Sequence, residues 1–475
     1  MPHFKIILSA ALLTITACAP LDPREGFDDI KSLAEKKINS NLIWNADQEA
    51  ADQIDLAVRK LLSQPLTADD VVQIALLNNP SIQAVYEDVG IAQADLILAG
   101  LLQNPVFLLE RRFPGKALEI DIAQDFVDLF LIPLRTKVAE NKLEATKLKV
   151  VSAIVEHAAK TKESFYELQS SLQQLELYQV VNRAMEASAA AAKKLYLVGN
   201  IKKIEMQEEL TLANETRIEL AIAENDIIEK REHLNVLMGL WSKNINWKTN
   251  QRLPALPQHD PEGPGLERLA IQERLDLASE RKELDALGNN ISLSGYGAIL
   301  TEATLNYHSE IEPSGDISRG PSISLPIPIF NQGSAQQARA YAQFRQYAAH
   351  FTQHAIEIRS EVRRAFQKMI LARKRTEYLY RVVLPLKGAM LEQTQLQYNG
   401  MFMSVFQLLQ AKRSQIEAGK QYIDSLKEYW VAKTALELAV GGRIKDVPVV
   451  EQLVTQPNFT KHQKQTGSNA HHHPG

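Results

Sequence analysis

The sequence predicts a mainly α fold with a membrane β-barrel, built as one unit of long helices and short strands that occurs twice. Three observations carry this. Two stretches of roughly sixty residues are almost free of proline and glycine and have helical apolar spacing. Four short runs have strand character, with apolar and polar residues alternating. Paired motifs recur at one common offset of about 202 residues.

The offset comes from two places. Tyr196-Leu197-Val198-Gly199 is echoed by Tyr398-Asn399-Gly400-Met401, and the run Leu234 to Gly239 by Leu436 to Gly441. A shared offset at separated sites indicates duplication of a large unit, not a solenoid of short repeats. The expected organisation is a signal peptide at 1–17, a lipid-anchored extension at 18–65 and a first repeat at 66–240. An inter-repeat linker at 241–264, a second repeat at 265–442 and a polar tail at 443–475 follow.

Each repeat opens with a helical segment, Leu66 to Leu102 in the first and Gly265 to Leu287 in the second. Strand-like runs follow at 104–113 and 117–127, and again at 290–310 and 321–330. In the second run Leu118, Ile120 and Ile122 alternate with Glu119 and Asp121, which gives one apolar and one acidic face. Arg112 to Gly115 and Glu312 to Gly315 are turn sequences. Pro326 and Pro328 mark the exit from the sheet, and Asn331 to Ser334 should cap the next helix. From Leu134 to Tyr196 an unbroken helix would be about 90 Å long. The matching stretch from Ala335 to Tyr398 is interrupted near Pro385 and Gly388. Helices of this length need neighbours packed as coiled coils.

The chain starts with a basic residue, Lys5, then an apolar run, then Ile15-Thr16-Ala17-Cys18. This is a signal-peptide pattern, too short to span a bilayer as a helix. It resembles a lipobox, in which Cys18 is acylated and becomes the mature N-terminus. Cys18 is the only cysteine, so no internal disulfide is expected. A net charge of −4 leaves no basic footprint for nucleic acid. No later apolar run is long enough for a helical span, so any crossing must use strands in a closed barrel. Four strands cannot close a barrel, whereas three copies would supply about twelve.

From Leu66 to Gly442 the sequence resembles the TolC-like outer-membrane factor family of efflux proteins, in a lipoprotein form. The motifs that carry the resemblance are Leu66 to Pro80, Gly100 to Pro105, Leu325 to Gly333, Tyr196 to Ile201 and Gln397 to Met401. The resemblance implies a homotrimer whose strands form a barrel in the outer membrane and whose helices form a barrel in the periplasm. It implies contact with outer-membrane lipid, a periplasmic adaptor (membrane fusion) protein and an inner-membrane pump. It implies no enzymatic activity and no cofactor. Tyr196, Gly199, Asn200, Tyr398, Asn399, Gly400 and Met401 would form the periplasmic tips that meet the adaptor. Gly199 and Gly400 would supply the tight reversals. Many family members carry acidic residues just past the second tip. Here Gln407 and Gln410 stand in their place, which puts a charged constriction there in doubt; Glu205 could supply charge from the first repeat.

Two alternatives stay open on the sequence: the duct of a type I-like protein secretion system, and a periplasmic coiled-coil adaptor lipoprotein. A lipid-anchored enzyme would need a clustered polar site or a nucleophile motif, and neither is present. His350 and His354 have helical metal-ligand spacing without a third ligand. His471 to His473 form a short tract in the tail. Neither is read as a metal site.

Overall fold

The computed structural model describes residues 26–112, 117–299, 303–312, 314–325, 327, 329–330 and 332–444. Cys18, the signal sequence, the turn at 113–116 and the histidines of the tail lie outside these residues. Pro313, Pro326, Pro328 and Asn331 lie outside them as well.

Two amphipathic helices come first, α1 (Phe27–Ile38) and α2 (Gln48–Leu62). In α1 Phe27, Ile30 and Ala34 recur at helical spacing and are buried. Phe27 packs on Trp44 and edge-on against Tyr86. The end of α1 reaches the second repeat: Lys37 Nζ donates to Glu273 O at 2.8 Å, and Arg443 N donates to Lys37 O at 3.0 Å.

Next, α3 (Ala68–Asn78) begins at Thr67, which forms a reciprocal cap with Asp70. Pro80 has no N–H to continue that helix and holds Asn79 extended, so α4 (Pro80–Gly100) starts afresh at an angle to it. Strands β1 (Val106–Arg112) and β2 (Ala117–Asp125) follow, then α5 (Asp128–Leu197) and α6 (Lys203–Met238). The 70 residues of α5 span about 105 Å. Val155, Ala158, Phe165 and Leu168 are buried along it, as the spacing predicts. The linker is strapped onto the long helices: Tyr429 Oη donates to Asp260 Oδ1 at 2.6 Å, and Trp430 Nε1 to Pro254 O at 2.9 Å.

The second repeat runs α7 (Leu266–Glu273), α8 (Leu275–Ile299), β3 (Thr304–Ile311), β4 (Ile317–Ser324), α9 (Ser334–Tyr378), α10 (Leu384–Asn399) and α11 (Val405–Val440). Two expectations are corrected here. Residues 290–299, read as strand, extend α8; Gly288 and Gly295 are accommodated because small residues let α9 approach, as Gln337 beside Gly295 shows. Strand β4 ends at Ser324, before the prolines, which cannot donate to a ladder. The interruption near Pro385 is a single π turn at Leu379–Val383, a widening that accommodates the missing proline N–H without ending the helix. The cap of α9 falls within the expected run, where Gly333 provides it in a left-handed conformation.

The sheet is antiparallel with order β1-β2-β3-β4, so both edges are open among the described residues. Its register sorts the side chains. Leu118, Ile120 and Ile122 share a face with Leu305, Tyr307, Ile311, Ile317 and Ile323. Glu119 and Asp121 share the other with Asn306, His308, Glu310, Ser318 and Ser322. The sorting is not complete: Val106 and Leu108 of β1 are apolar on the polar face, and Arg111, Gln124, Ser309 and Arg319 lie on the apolar one.

Both hairpins close the same way at the end away from their turns. Gly239 ends α6 at φ 66°, where a Cβ would lie 2.6 Å from Asn78 O; Gly441 ends α11 at φ 97°, where a Cβ would lie 2.9 Å from Glu273 O. Each glycine is thus pressed against the break between two helices. In the first repeat Asn78 Nδ2 donates to Gly239 O at 2.8 Å and Asn79 Nδ2 to Leu237 O at 2.8 Å, which satisfies carbonyls the helix leaves open. In the second, Arg274 Nη1 reaches Ala439 O at 3.4 Å and Glu361 Oε2 at 2.6 Å.

Replacing Gly239 or Gly441 by alanine adds left-handed strain of about 1–2 kcal/mol to overpacking of about 1–3 kcal/mol. Both variants should unfold at clearly lower temperature. Gly265→Ala, at φ 91° but facing open space, should show only the strain. Calorimetry of the three side by side separates the two effects. A pH effect follows from His157, whose Nε2 donates to Leu237 O at 3.0 Å. Burial pushes its pKa below 6.5, outweighing the hydrogen bond, so folding favours the neutral ring. That contribution is present above pH 6.5 and is lost as pH falls below it. In His157→Gln this part of the acid destabilisation should vanish in thermal melts across that range.

Candidate functional site

The two hairpin turns are built by one rule. At the first, Gly199 N donates to Tyr196 O at 3.0 Å and Asn200 N to Leu195 O at 2.9 Å, with Gly199 at φ 79°. This is the left-handed helix ending that satisfies the last carbonyls of α5. At the second, Met401 N donates to Tyr398 O at 2.9 Å and Phe402 N to Gln397 O at 2.9 Å, with Met401 at φ 62°. So Met401, not Gly400, takes the left-handed position. Gly400 sits at φ −79°, which any residue can adopt. The reading of Gly400 as the reversal is corrected accordingly. The common offset already pairs Gly199 with Met401, and that was the signal available in the sequence.

The helices that leave the turns are capped by the constriction candidates. Glu205 accepts from Lys202 N at 2.9 Å, and Gln407 accepts from Ser404 N at 2.9 Å. These two residues stand at equivalent places in the two repeats and close the first turn of α6 and α11. A side chain bound to its own helix end has less freedom to form a ring around a pore. Gln410 lies one turn further on and is exposed. Glu209, also past the first turn, is held by Ser188 Oγ.

Val181 and Met185 of α5 pack with Ile416 of α11, and Leu212 and Leu409 join them. This cluster ties both hairpins together near their turns. The turns themselves expose apolar side chains: Tyr196, Leu197 and Val198 at the first, and Tyr398, Met401 and Phe402 at the second. Met401 is 93% exposed and Phe402 86%. Sequence reasoning missed Phe402, because nothing in the local pattern separates it from a core phenylalanine.

The histidines of α9 do not gather a metal set. His354 Nδ1 lies 2.9 Å from Glu280 Oε1 and its Nε2 3.5 Å from Asp276 Oδ2, while His350 is exposed. Among the described residues the one group of metal-ligating side chains lies elsewhere, on the sheet. No described helix is long and apolar enough to cross a membrane.

Long paired helices, a four-stranded antiparallel sheet with open edges and exposed apolar turns define the fold. Comparison with solved structures gives the same fold. The chain is similar to the outer membrane channel CmeC of Campylobacter jejuni, with TM-score 0.68 and 14% identity over 85% of this chain and 89% of that one. It is similar to VceC, an outer membrane protein of Vibrio cholerae, with TM-score 0.65 and 15% identity over 79% and 96%. It is also similar to CusC, which forms a transmembrane channel, with TM-score 0.64 and 18% identity over 85% and 96%. No family model and no curated protein matches the sequence.

The turn geometry makes opposite predictions for its two left-handed residues. Met401→Gly should raise stability by about 1 kcal/mol and Gly199→Met should lower it by about 1–2 kcal/mol, both through left-handed strain. Denaturant unfolding of the two variants checks the pair.

Proposed function

We propose that three copies of this chain form the outer-membrane exit channel of a tripartite efflux system. The observation that carries this is the sheet: four antiparallel strands, two open edges, one largely apolar face and one largely polar face. Open edges cannot face lipid. With β4 of one copy antiparallel to β1 of the next, three sheets close into twelve strands, apolar side out. The channel likenesses and the length of the helices support the same reading.

Exposed apolar residues on the helices support assembly. Ile218 and Ile222 stand four apart on α6; Leu386 and Met390 stand four apart on α10. These are two different surfaces of one chain. Contact between unlike surfaces builds a ring when the rotation closes.

In this reading substrate enters at the hairpin turns and leaves through the barrel. A periplasmic adaptor meets the apolar residues at the turns, and the pump behind it supplies the energy. Cys18 carries the lipid anchor. The chain itself does no covalent chemistry.

Single-channel conductance of the purified protein in planar bilayers tests the proposal. Ile222→Arg should convert the trimer seen by light scattering in detergent to monomer and abolish conductance. A monomeric wild-type protein without conductance would overturn the reading. Met401→Ser with Phe402→Ser should leave conductance intact yet abolish complementation of a deletion strain on an antibiotic, dye and metal panel. Full complementation would remove the turns from partner contact.

A further inference from the structure

We propose that the polar face of the sheet holds a divalent transition-metal cation between β2 and β3, bound by Glu119, Asp121 and His308. Their donor atoms all lie within 4.8 Å of one another. Asp121 and His308 are directly opposite in the ladder, and Glu119 is two residues from Asp121, so the pleat puts all three on one face. His308 Nδ1 is 2.6 Å from Asp121 Oδ1 and 3.6 Å from Glu119 Oε1. Ligands at about 2.1 Å from a tetrahedral ion stand roughly 3.4 Å apart, so small rotations of these side chains are enough.

The fourth member explains the arrangement of the imidazole. Glu310 Oε2 lies 3.7 Å from His308 Nε2, on the far side of the ring from the other two carboxylates. A metal on Nδ1 requires the proton on Nε2, and Glu310 lies within ion-pair distance of that nitrogen. A carboxylate behind a ligating histidine fixes its tautomer and raises its basicity. With carboxylates at both nitrogens, a metal at Nδ1 displaces the proton that Nδ1 shares with Asp121, which leaves to solvent, while Nε2 keeps its proton on the Glu310 side. Glu310 is therefore a positioning residue.

The backbone suits a site that must hold its shape. Strands β2 and β3 are the two central strands, each paired on both sides. Glu119 and Glu310 are also directly opposite in the register. Like charges so placed repel, and a dication beside them offsets that cost. The donor set selects the metal. One imidazole with carboxylates suits zinc, cobalt, nickel or manganese; silver and copper(I) prefer the thiolates and thioethers absent from these three ligands.

The site needs only strands of one chain, so it does not depend on the channel reading; its place in the lumen does. The test uses the full chain in detergent with His471, His472 and His473 replaced by serine, so the tail contributes nothing. Titration with zinc by calorimetry, and with cobalt by its visible d–d bands, should show one saturable site per chain. His308→Gln should abolish it, and Glu310→Gln should weaken it roughly 10–100-fold, with the thermal melt confirming that both variants fold. Absence of saturable binding overturns the proposal without any variant, and so does binding unchanged by His308→Gln. Conductance measured on the same preparation keeps the two questions apart. A conducting protein that binds no metal overturns the site alone, and a metal-binding protein that does not conduct overturns the channel alone.

Discussion

A left-handed glycine pressed onto a helix break holds each half of this molecule together. Gly239 lies against Asn78 and Asn79, and Gly441 against Glu273 and Arg274. A hairpin of about 50 Å or more is a lever, and its root has to be fixed where it leaves the body. The contact leaves no room for a Cβ, and the φ values exclude other residues at little cost. Polar side chains from the break then satisfy the open carbonyls. Asparagines do this in the first repeat and an arginine with its two carboxylates in the second. The geometry is kept while the chemistry changes. The extension reinforces it, since Lys37 and its carbonyl bind on both sides of the second junction.

From this fixed root the chain leads to two different environments. The strands present an apolar face that has nothing to cover it in the single chain, together with two unpaired edges. The helices carry polar and charged residues throughout and are suited to water. The apolar positions that remain exposed on α6, α9 and α10 are spaced as packing positions and not as a continuous band. One chain thus satisfies its own hairpins, while among the described residues its sheet edges stay unpaired and apolar positions on its helices stay exposed.

The large elements were legible in the sequence because each has a strong period. The 70-residue helix, the alternation in β2 and the offset of the repeats each repeat a pattern many times over. The failures lie where a short stretch satisfies two readings. Asn290 to Ile299 contains alternating apolar residues that fit a strand, yet it continues α8, because its packing against α5 and α9 outweighs that local pattern. Gly400 fits the reversal by residue type, since glycine is the usual residue there, yet the backbone places Met401 in that position. Ser404 to Gln407 is itself a capping-box pattern, Ser-x-x-Gln, so the cap of α11 was legible in the sequence even though Gln407 was weighed only for a constriction. The His308 group was out of reach because it combines residues nearly 190 positions apart, and only the β2–β3 register joins them.

The contrast between Gly199 and Met401 bears on what the turns are for. Both repeats use the same ending, so both positions demand a left-handed residue. Selection for stability alone would place glycine at each. Methionine at the second accepts about 1–2 kcal/mol of strain and leaves its side chain almost wholly in solvent, which gains nothing within the chain. Beside it Phe402 is equally unsupported. Strain that persists without a local return marks a residue kept for another contact. Glycine could complete the turn but could not present an apolar, adaptable side chain to a partner. The two turns therefore share one geometry and both expose apolar side chains, and the second does so from the strained position itself.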